Sequence, residues 1–322
     1  MQYVGIHTQQ RRNNFRSLLL LLLFPCLVVA LLYAGCFLIT YLSHPHAGEA
    51  GYSLTEMTND LFLPTVPVAL GVVLVWFLIA YFANTAIINS ATGAEPLERK
   101  DNMRVYNLVE NLCMAQGMKM PKINIINDSS LNAYASGINP RTYTVTLSRG
   151  IINKLNDEEL EAVIAHELTH IRNHDVRLLI VSIVFVGIFA MVTQIILRSL
   201  PYMRVRSGGK NNNGAGVVLV ILVMLLMAAI GYFFASLMRF AISRKREYMA
   251  DAGSAEMTKN PQALASALRK ISGDPYIEAV KRDDVAQLFI QHPRMKAKGG
   301  GSSSLFATHP PIEKRIEVLE QF

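Results

Sequence analysis

The chain has 322 residues, 51% of them hydrophobic and 17% charged, with a net charge of +7. It is too apolar for an ordinary soluble protein and too charged for a pure membrane bundle, so membrane spans are expected to alternate with segments that fold in water. The basic residues are spread over many segments with no aromatic-interleaved patch, which argues against nucleic-acid binding and suits Lys and Arg that flank spans and face anionic lipid.

Residues 18–42 form a run of roughly 25 residues without a charge, longer than the ~20 a helix needs to cross a bilayer. Arg11, Arg12 and Arg16 precede it. A signal peptide would have a shorter apolar core and a small-residue cleavage site, so a retained signal anchor is expected, with residues 1–17 in the cytoplasm. A second apolar run, 61–82, returns the chain; the connecting loop holds Glu49, Glu56 and Asp60 but no Lys or Arg, and belongs outside. Residues 84–177 carry ten basic residues and enough polar positions to form the first part of a cytoplasmic domain.

Within that part, Lys122–Asn127 and Thr142–Ser148 have strand character, the second alternating Tyr143, Val145 and Leu147. Between them lie Asn132, Ala133, Tyr134, Ala135, Ser136 and Gly137. Small residues here would let a peptide pair with an exposed strand edge, a mode that binds backbone rather than sequence; a plain turn-rich connection is the alternative. Asn156, followed by Asp157, Glu158 and Glu159, is a capping residue with acids suited to the positive end of a helix dipole, so a helix starts there.

Two further apolar runs, 178–197 and 217–237, are separated by a Gly/Asn-rich loop with Arg198, Arg204, Arg206 and Lys210 and no acid. Full crossing would leave positive charge outside, against the usual rule. Either the rule is overridden or the hairpin does not cross completely; full crossing is the expectation adopted. In both cases a helical hairpin returns the chain to the side it left, so the segments before Leu178 and after Phe240 lie together. Residues 244–322 complete the cytoplasmic domain, with helical patterning at 262–272 and 310–321 and a flexible Lys/Gly/Ser stretch at 296–304. Cys26 and Cys36 lie in the first apolar run and Cys113 is isolated, which excludes a disulfide framework and a thiolate metal site; all three read as small core residues.

The chemistry is concentrated on the helix that follows Asn156. His166 and His170 are four residues apart, one turn along a single face, where both imidazoles can bind one tetrahedral ion. Glu167 sits next to that face and can act as general base toward an attacking water. A third ligand is required. His174 continues the series, but on a straight helix it lies roughly 12 Å along the axis from His166, too far for one ion held at about 2 Å from each nitrogen. Glu247, in Ser243-Arg244-Lys245-Arg246-Glu247, is the better candidate, brought beside the His helix by the hairpin. If its segment is helical, Asp251 lies one turn on, where it can accept the free N–H of a ligand histidine and fix its tautomer. A charged interfacial helix is the plain alternative for both acids.

These features resemble the HtpX group of the M48 family of membrane zinc endopeptidases. The matching segments are NAYASG at 132–137, HELTH at 166–170 followed by Asn173 and Asp175, SRKREYMADAG at 243–253 and FATHPPIEKRIEVL at 306–319. The resemblance implies an α+β fold: four transmembrane helices plus a mainly helical, gluzincin-type cytoplasmic protease domain with a small β-sheet. It implies one zinc ion per subunit on His166, His170 and Glu247, Glu167 as catalytic base, and His309 as a donor to the tetrahedral oxyanion, although a structural His before two prolines is an equal reading. The implied setting is the cytoplasmic (inner) membrane, multi-pass, with the active site facing the cytoplasm. The implied partners are polypeptides, chiefly misfolded or damaged membrane proteins, the bilayer and other membrane quality-control proteases, but no nucleic acid. His174 stands where the family often has glycine. The competing readings are an intramembrane-cleaving protease, disfavoured because the motif lies outside any long apolar run, and a non-catalytic scaffold or metal-binding protein, for which Glu167 would be dispensable. A CAAX-processing relative shares the zinc chemistry but resembles a chain with more spans.

Overall fold

The computed structural model describes residues 6–44, 53–199, 213–240, 245–273, 288–290 and 310–322. The chain divides into two compact units, one comprising residues 1–17, 81–183 and 240–322 and the other residues 18–80 and 184–239. The stretch 296–304 and most of the loop between the third and fourth apolar runs lie outside the described residues.

Four helices among the described residues are long and apolar enough to cross a bilayer. They are α1 (Ile6–Ser43), α2 (Leu54–Thr92) and, as numbered below, α6 (Asp175–Ser199) and α7 (Asn213–Phe240). Each outruns its apolar run, because hydropathy marks a stretch suited to lipid whereas a helix continues through any polar flank that keeps its backbone bonds. Within the second unit, ring stacking and close small-residue packing hold the helices together. Phe24 stacks on Phe185 with centroids 4.0 Å apart and meets Phe189 edge-on at 5.7 Å. Gly231 lies so close to the Phe189 ring that a methyl group there would collide with it. Trp76 Nε1 donates to the Val184 carbonyl at 3.0 Å. Half of the most apolar window of α6 is buried, against 6% for α2. Cys36 is buried, as expected, but Cys26 is exposed on α1; in a segment whose solvent is lipid, an apolar face needs no protein cover.

The first unit holds a four-stranded sheet of order β1-β2-β4-β3. Its strands are β1 (Ala94–Pro96), β2 (Lys122–Ile126), β3 (Ala133–Ser136) and β4 (Thr144–Ser148). β2 and β4 are parallel, and β1 and β3 flank them antiparallel. Most of the segment 132–137 is therefore a strand, Ala133–Ser136, rather than a turn-rich connection. Its return to β4 depends on Gly137, whose φ is 103° and which passes so close to the Thr142 carbonyl that no Cβ would fit.

The helices of this unit are α3 (Met103–Ala115), α4 (Arg149–Lys154), α5 (Asp157–Arg172), α8 (Lys245–Thr258), α9 (Pro261–Ile271) and α10 (Ile312–Leu319). α5 is the core of the unit: Leu160, Ala162, Val163, Ile164, Ala165 and Leu168 are completely buried, and it packs against α3, α8, α9 and the sheet. Small residues let α8 come close. Ser254 Oγ donates to the Ala162 carbonyl at 2.6 Å, and a Cβ on Gly253 would run into the Thr169 side chain.

Candidate metal centre

The start of α5 is fixed by a capping box: Asn156 Oδ1 accepts from the Glu159 amide at 2.9 Å and Glu159 Oε2 accepts from the Asn156 amide at 3.0 Å. Glu159 also accepts from Ser266 Oγ and Lys270 Nζ of α9, each at 2.7 Å. Burial pushes its carboxyl up, but the bonds from Lys270, Ser266 and Asn156 outweigh that and hold it below the usual carboxylate range. The end of α5 is as definite. Asn173 caps it, and His174 takes φ = 60°, the left-handed region, before α6 begins at Asp175. The chain therefore leaves the α5 helix before His174, whose Nδ1 lies 3.0 Å from Asn14 Oδ1.

Three turns into α5, His166 and His170 face one another with their Nε2 atoms 3.2 Å apart. Glu247, in the first turn of α8, brings Oε2 to 3.7 Å from His166 Nε2 and Oε1 to 3.6 Å from His170 Nε2. The potential ligand atoms of the three residues lie within 4.8 Å of one another. Two imidazoles and a carboxylate are a donor set suited to a catalytic zinc ion, which keeps a fourth position open.

The opposite edges of the two rings are each held by an acid. His166 Nδ1 lies 3.0 Å from Asp251 Oδ1, and His170 Nδ1 lies 3.1 Å from Asp175 Oδ2. An N–H donated from His170 Nδ1 to Asp175 leaves its Nε2 lone pair directed at the shared point, the tautomer a metal requires, and the Asp251 carboxylate beside His166 Nδ1 favours the same tautomer there. Asp251 is itself gripped by Arg315 of α10, whose Nε and Nη2 donate to Oδ2 and Oδ1 at 2.9 and 2.6 Å. The guanidinium is 1% exposed, donates through Nη1 to the Ile290 carbonyl at 3.2 Å and lies 3.6 Å from Glu247 Oε2.

Electrostatics fit a cation. Burial pushes the His166 imidazole down, yet the adjoining carboxylates of Asp251 and Glu247 outweigh that and lift it to about 9. A ring so placed attracts positive charge, whether proton or metal. Glu167 is 1% exposed, and burial raises its carboxyl above the ordinary value despite the neighbouring histidines, the direction a proton carrier near neutral pH needs.

Ala135, Glu167, His170, Glu247 and Phe289 line a cleft at this point. Of the four residues expected to meet a peptide, Ala135 alone lines it; Asn132, Ala133, Tyr134 and Ala135 are all buried. The outer edge of β3 is covered over part of its length. Tyr134 forms an antiparallel bridge with Phe289, their rings 4.7 Å apart, and the Ala133 carbonyl accepts from the Ile290 amide at 2.8 Å. A backbone edge without a partner is costly, and at Ala133 and Tyr134 this one is covered by the chain itself. His309 lies outside the described residues. Asp175 and Arg315, which hold the site from behind, were not assigned roles from the sequence, although both fall in its matching segments. Nothing in a linear pattern marks a charge that will be buried against another.

The profile of peptidase family M48 matches residues 99–322. A protein from Bacteroides fragilis named Protease HtpX homolog is 70% identical over 325 aligned residues, covering 100% of both chains. Proteins of the same name from Dictyoglomus thermophilum and Listeria monocytogenes are each 41% identical, over 77% and 76% of this chain and 80% and 82% of their own. The crystal structure of S. mikatae Ste24p is 20% identical, with a TM-score of 0.45 over 90% of this chain and 61% of its own.

Proposed function

Since the chain belongs to peptidase family M48, and is thereby a membrane metallopeptidase with polypeptide substrates, we propose that it is a zinc endopeptidase of the cytoplasmic (inner) membrane. On this reading it cuts misfolded or damaged membrane proteins on the cytoplasmic side. The observation that carries the proposal is the convergence of His166, His170 and Glu247 beside the buried Glu167. In this reading those three residues hold one zinc ion, with Asp251 and Asp175 fixing the imidazoles.

Zinc in such a donor set supplies a Lewis acid that polarises a carbonyl and makes water ionisable near neutral pH. The chain supplies the rest. Glu167, its carboxyl raised by burial, takes a proton from the attacking water and passes it to the nitrogen of the leaving amine. The low-dielectric setting strengthens each charge in the cleft. The substrate backbone approaches past Ala135, the residue of β3 that reaches the cleft beyond the covered stretch. Binding by backbone suits an enzyme that meets unfolded segments of many sequences. His309 is the proposed donor to the oxyanion.

The deciding comparison is purified wild type against Glu167→Ala in detergent, measured for zinc content and cleavage of an unfolded membrane protein. One zinc in each and proteolysis in wild type alone are expected. Equal proteolysis would remove Glu167 from the chemistry, and a wild type without bound metal would remove the zinc reading.

A further inference from the structure

The family profile begins at residue 99, yet part of the metal centre's support comes from the first turns of α1. Asn13 is fully buried, and its amide group donates to Asp175 Oδ1 at 2.6 Å and to the Asn173 carbonyl at 2.9 Å. One turn earlier, Gln10 Nε2 donates to the Arg172 carbonyl at 2.7 Å. The last carbonyls of a helix have no partner within it; those around the end of α5 are met by side chains from a segment some 160 positions away. Asn13 does more than cap, because its other bond ends on the carboxylate whose second oxygen lies 3.1 Å from His170 Nδ1.

We infer that Asn13 is a positioning residue of the metal centre, acting on His170 through Asp175. A carboxylate can rotate about its own axis, and the orientation of the imidazole it holds rotates with it. Two donated bonds from one rigid amide fix the Asp175 Oδ1 end against the end of α5, so that Oδ2 is presented to the ring. Such outer partners set ligand orientation, and their loss typically lowers metal affinity by roughly 10- to 100-fold. The inference rests on the zinc reading above.

The test is zinc affinity by chelator competition on the full chain in detergent, for wild type, Asn13→Ala, Asn13→Asp, Asp175→Ala and the Asn13→Ala/Asp175→Ala double variant. Asn13→Asp keeps the volume but places an acceptor against Asp175. Both Asn13 variants are expected to lose about tenfold in affinity. The double variant is expected to match Asp175→Ala alone, because Asn13 has nothing to act through once Asp175 is gone. Ser17→Ala, one turn further on and, among the described residues, bonded through its hydroxyl to the Asn13 carbonyl, is expected to bind like wild type. Wild-type affinity in both Asn13 variants would overturn the inference while leaving the zinc reading intact, and additive losses in the double variant would overturn the route through Asp175. A wild type that binds no zinc would overturn the zinc reading and this inference with it. Thermal unfolding of each metal-free variant separates loss of affinity from loss of fold.

Discussion

His174 is a side chain in a backbone conformation that suits glycine. At φ = 60° its Cβ is crowded by the following carbonyl, a cost of roughly 1–2 kcal/mol for an L-residue. The position ends the His helix and turns the chain into α6, so it cannot relax without moving Asp175. His174→Gly is expected to hold or raise the melting temperature, whereas His174→Val, β-branched, should lower stability by about 1–3 kcal/mol. Thermal unfolding of the two variants checks this; equal melting temperatures would mean the turn is not strained.

Glu159 makes a claim about acid. Its carboxyl is held below its unfolded value, so its contribution is fully present above the ordinary carboxylate range and is lost as pH falls through the folded pKa. Glu159→Gln is expected to cost on the order of 1–2 kcal/mol at pH 7. That gap should narrow as the pH drops below about 4. Urea unfolding of both proteins across that range is the measurement, and a gap independent of pH would show that the charge contributes nothing.

At the scale of elements, α5, α8 and α10 meet around one buried ion-pair cluster. Arg315 is the only described residue of α10 that donates into it, and Asp251 and Glu247 are the acids it serves. Arg315→Leu leaves Asp251 as a buried carboxylate without its guanidinium, a change that typically costs about 3–5 kcal/mol. It should also weaken zinc binding, because Asp251 then holds His166 less firmly. A variant with wild-type stability and zinc affinity would show that water or another group takes over.

Local signals made most of these elements legible. The capping Asn156 and the acids after it announced α5, alternation announced β4 and composition announced the four apolar helices. β1, three residues long, carries no periodicity to read and exists because β2 offers it an edge. Residues 132–137 left a strand edge and a turn-rich connection both open, and nothing local signals the cover on β3, since Phe289 lies some 155 residues beyond Tyr134. The His pair and Glu167 stood out because their spacing is the signal. Asn13 and Arg315 did not, because a buried polar residue is defined by partners brought from afar.

On the scale of the whole molecule, the donor set is a clasp between distant parts of one compact unit. Metal that binds the folded chain stabilises it by mass action, about 2.7 kcal/mol at a hundredfold excess over Kd. Removing metal with a chelator is therefore expected to lower the melting temperature of that unit, and adding zinc back to restore it. Differential scanning calorimetry in detergent reads this directly; a melting temperature unmoved by chelation would mean that the clasp contributes nothing to folding.

The order of the chain also sets a schedule. Both histidines and Glu167 are in place by residue 170, whereas Glu247, Asp251 and Arg315 follow α6 and α7. Synthesis proceeds at about 5–20 residues per second, so for several seconds the emerging polypeptide owns Glu167 and two imidazoles but neither the Glu247 carboxylate nor the Arg315 guanidinium that adjoin them in the folded chain. On the proposed zinc reading, a ribosome-bound fragment of this protease is expected to be inert toward its neighbours, and toward itself, until α6 and α7 have been made and Glu247 follows.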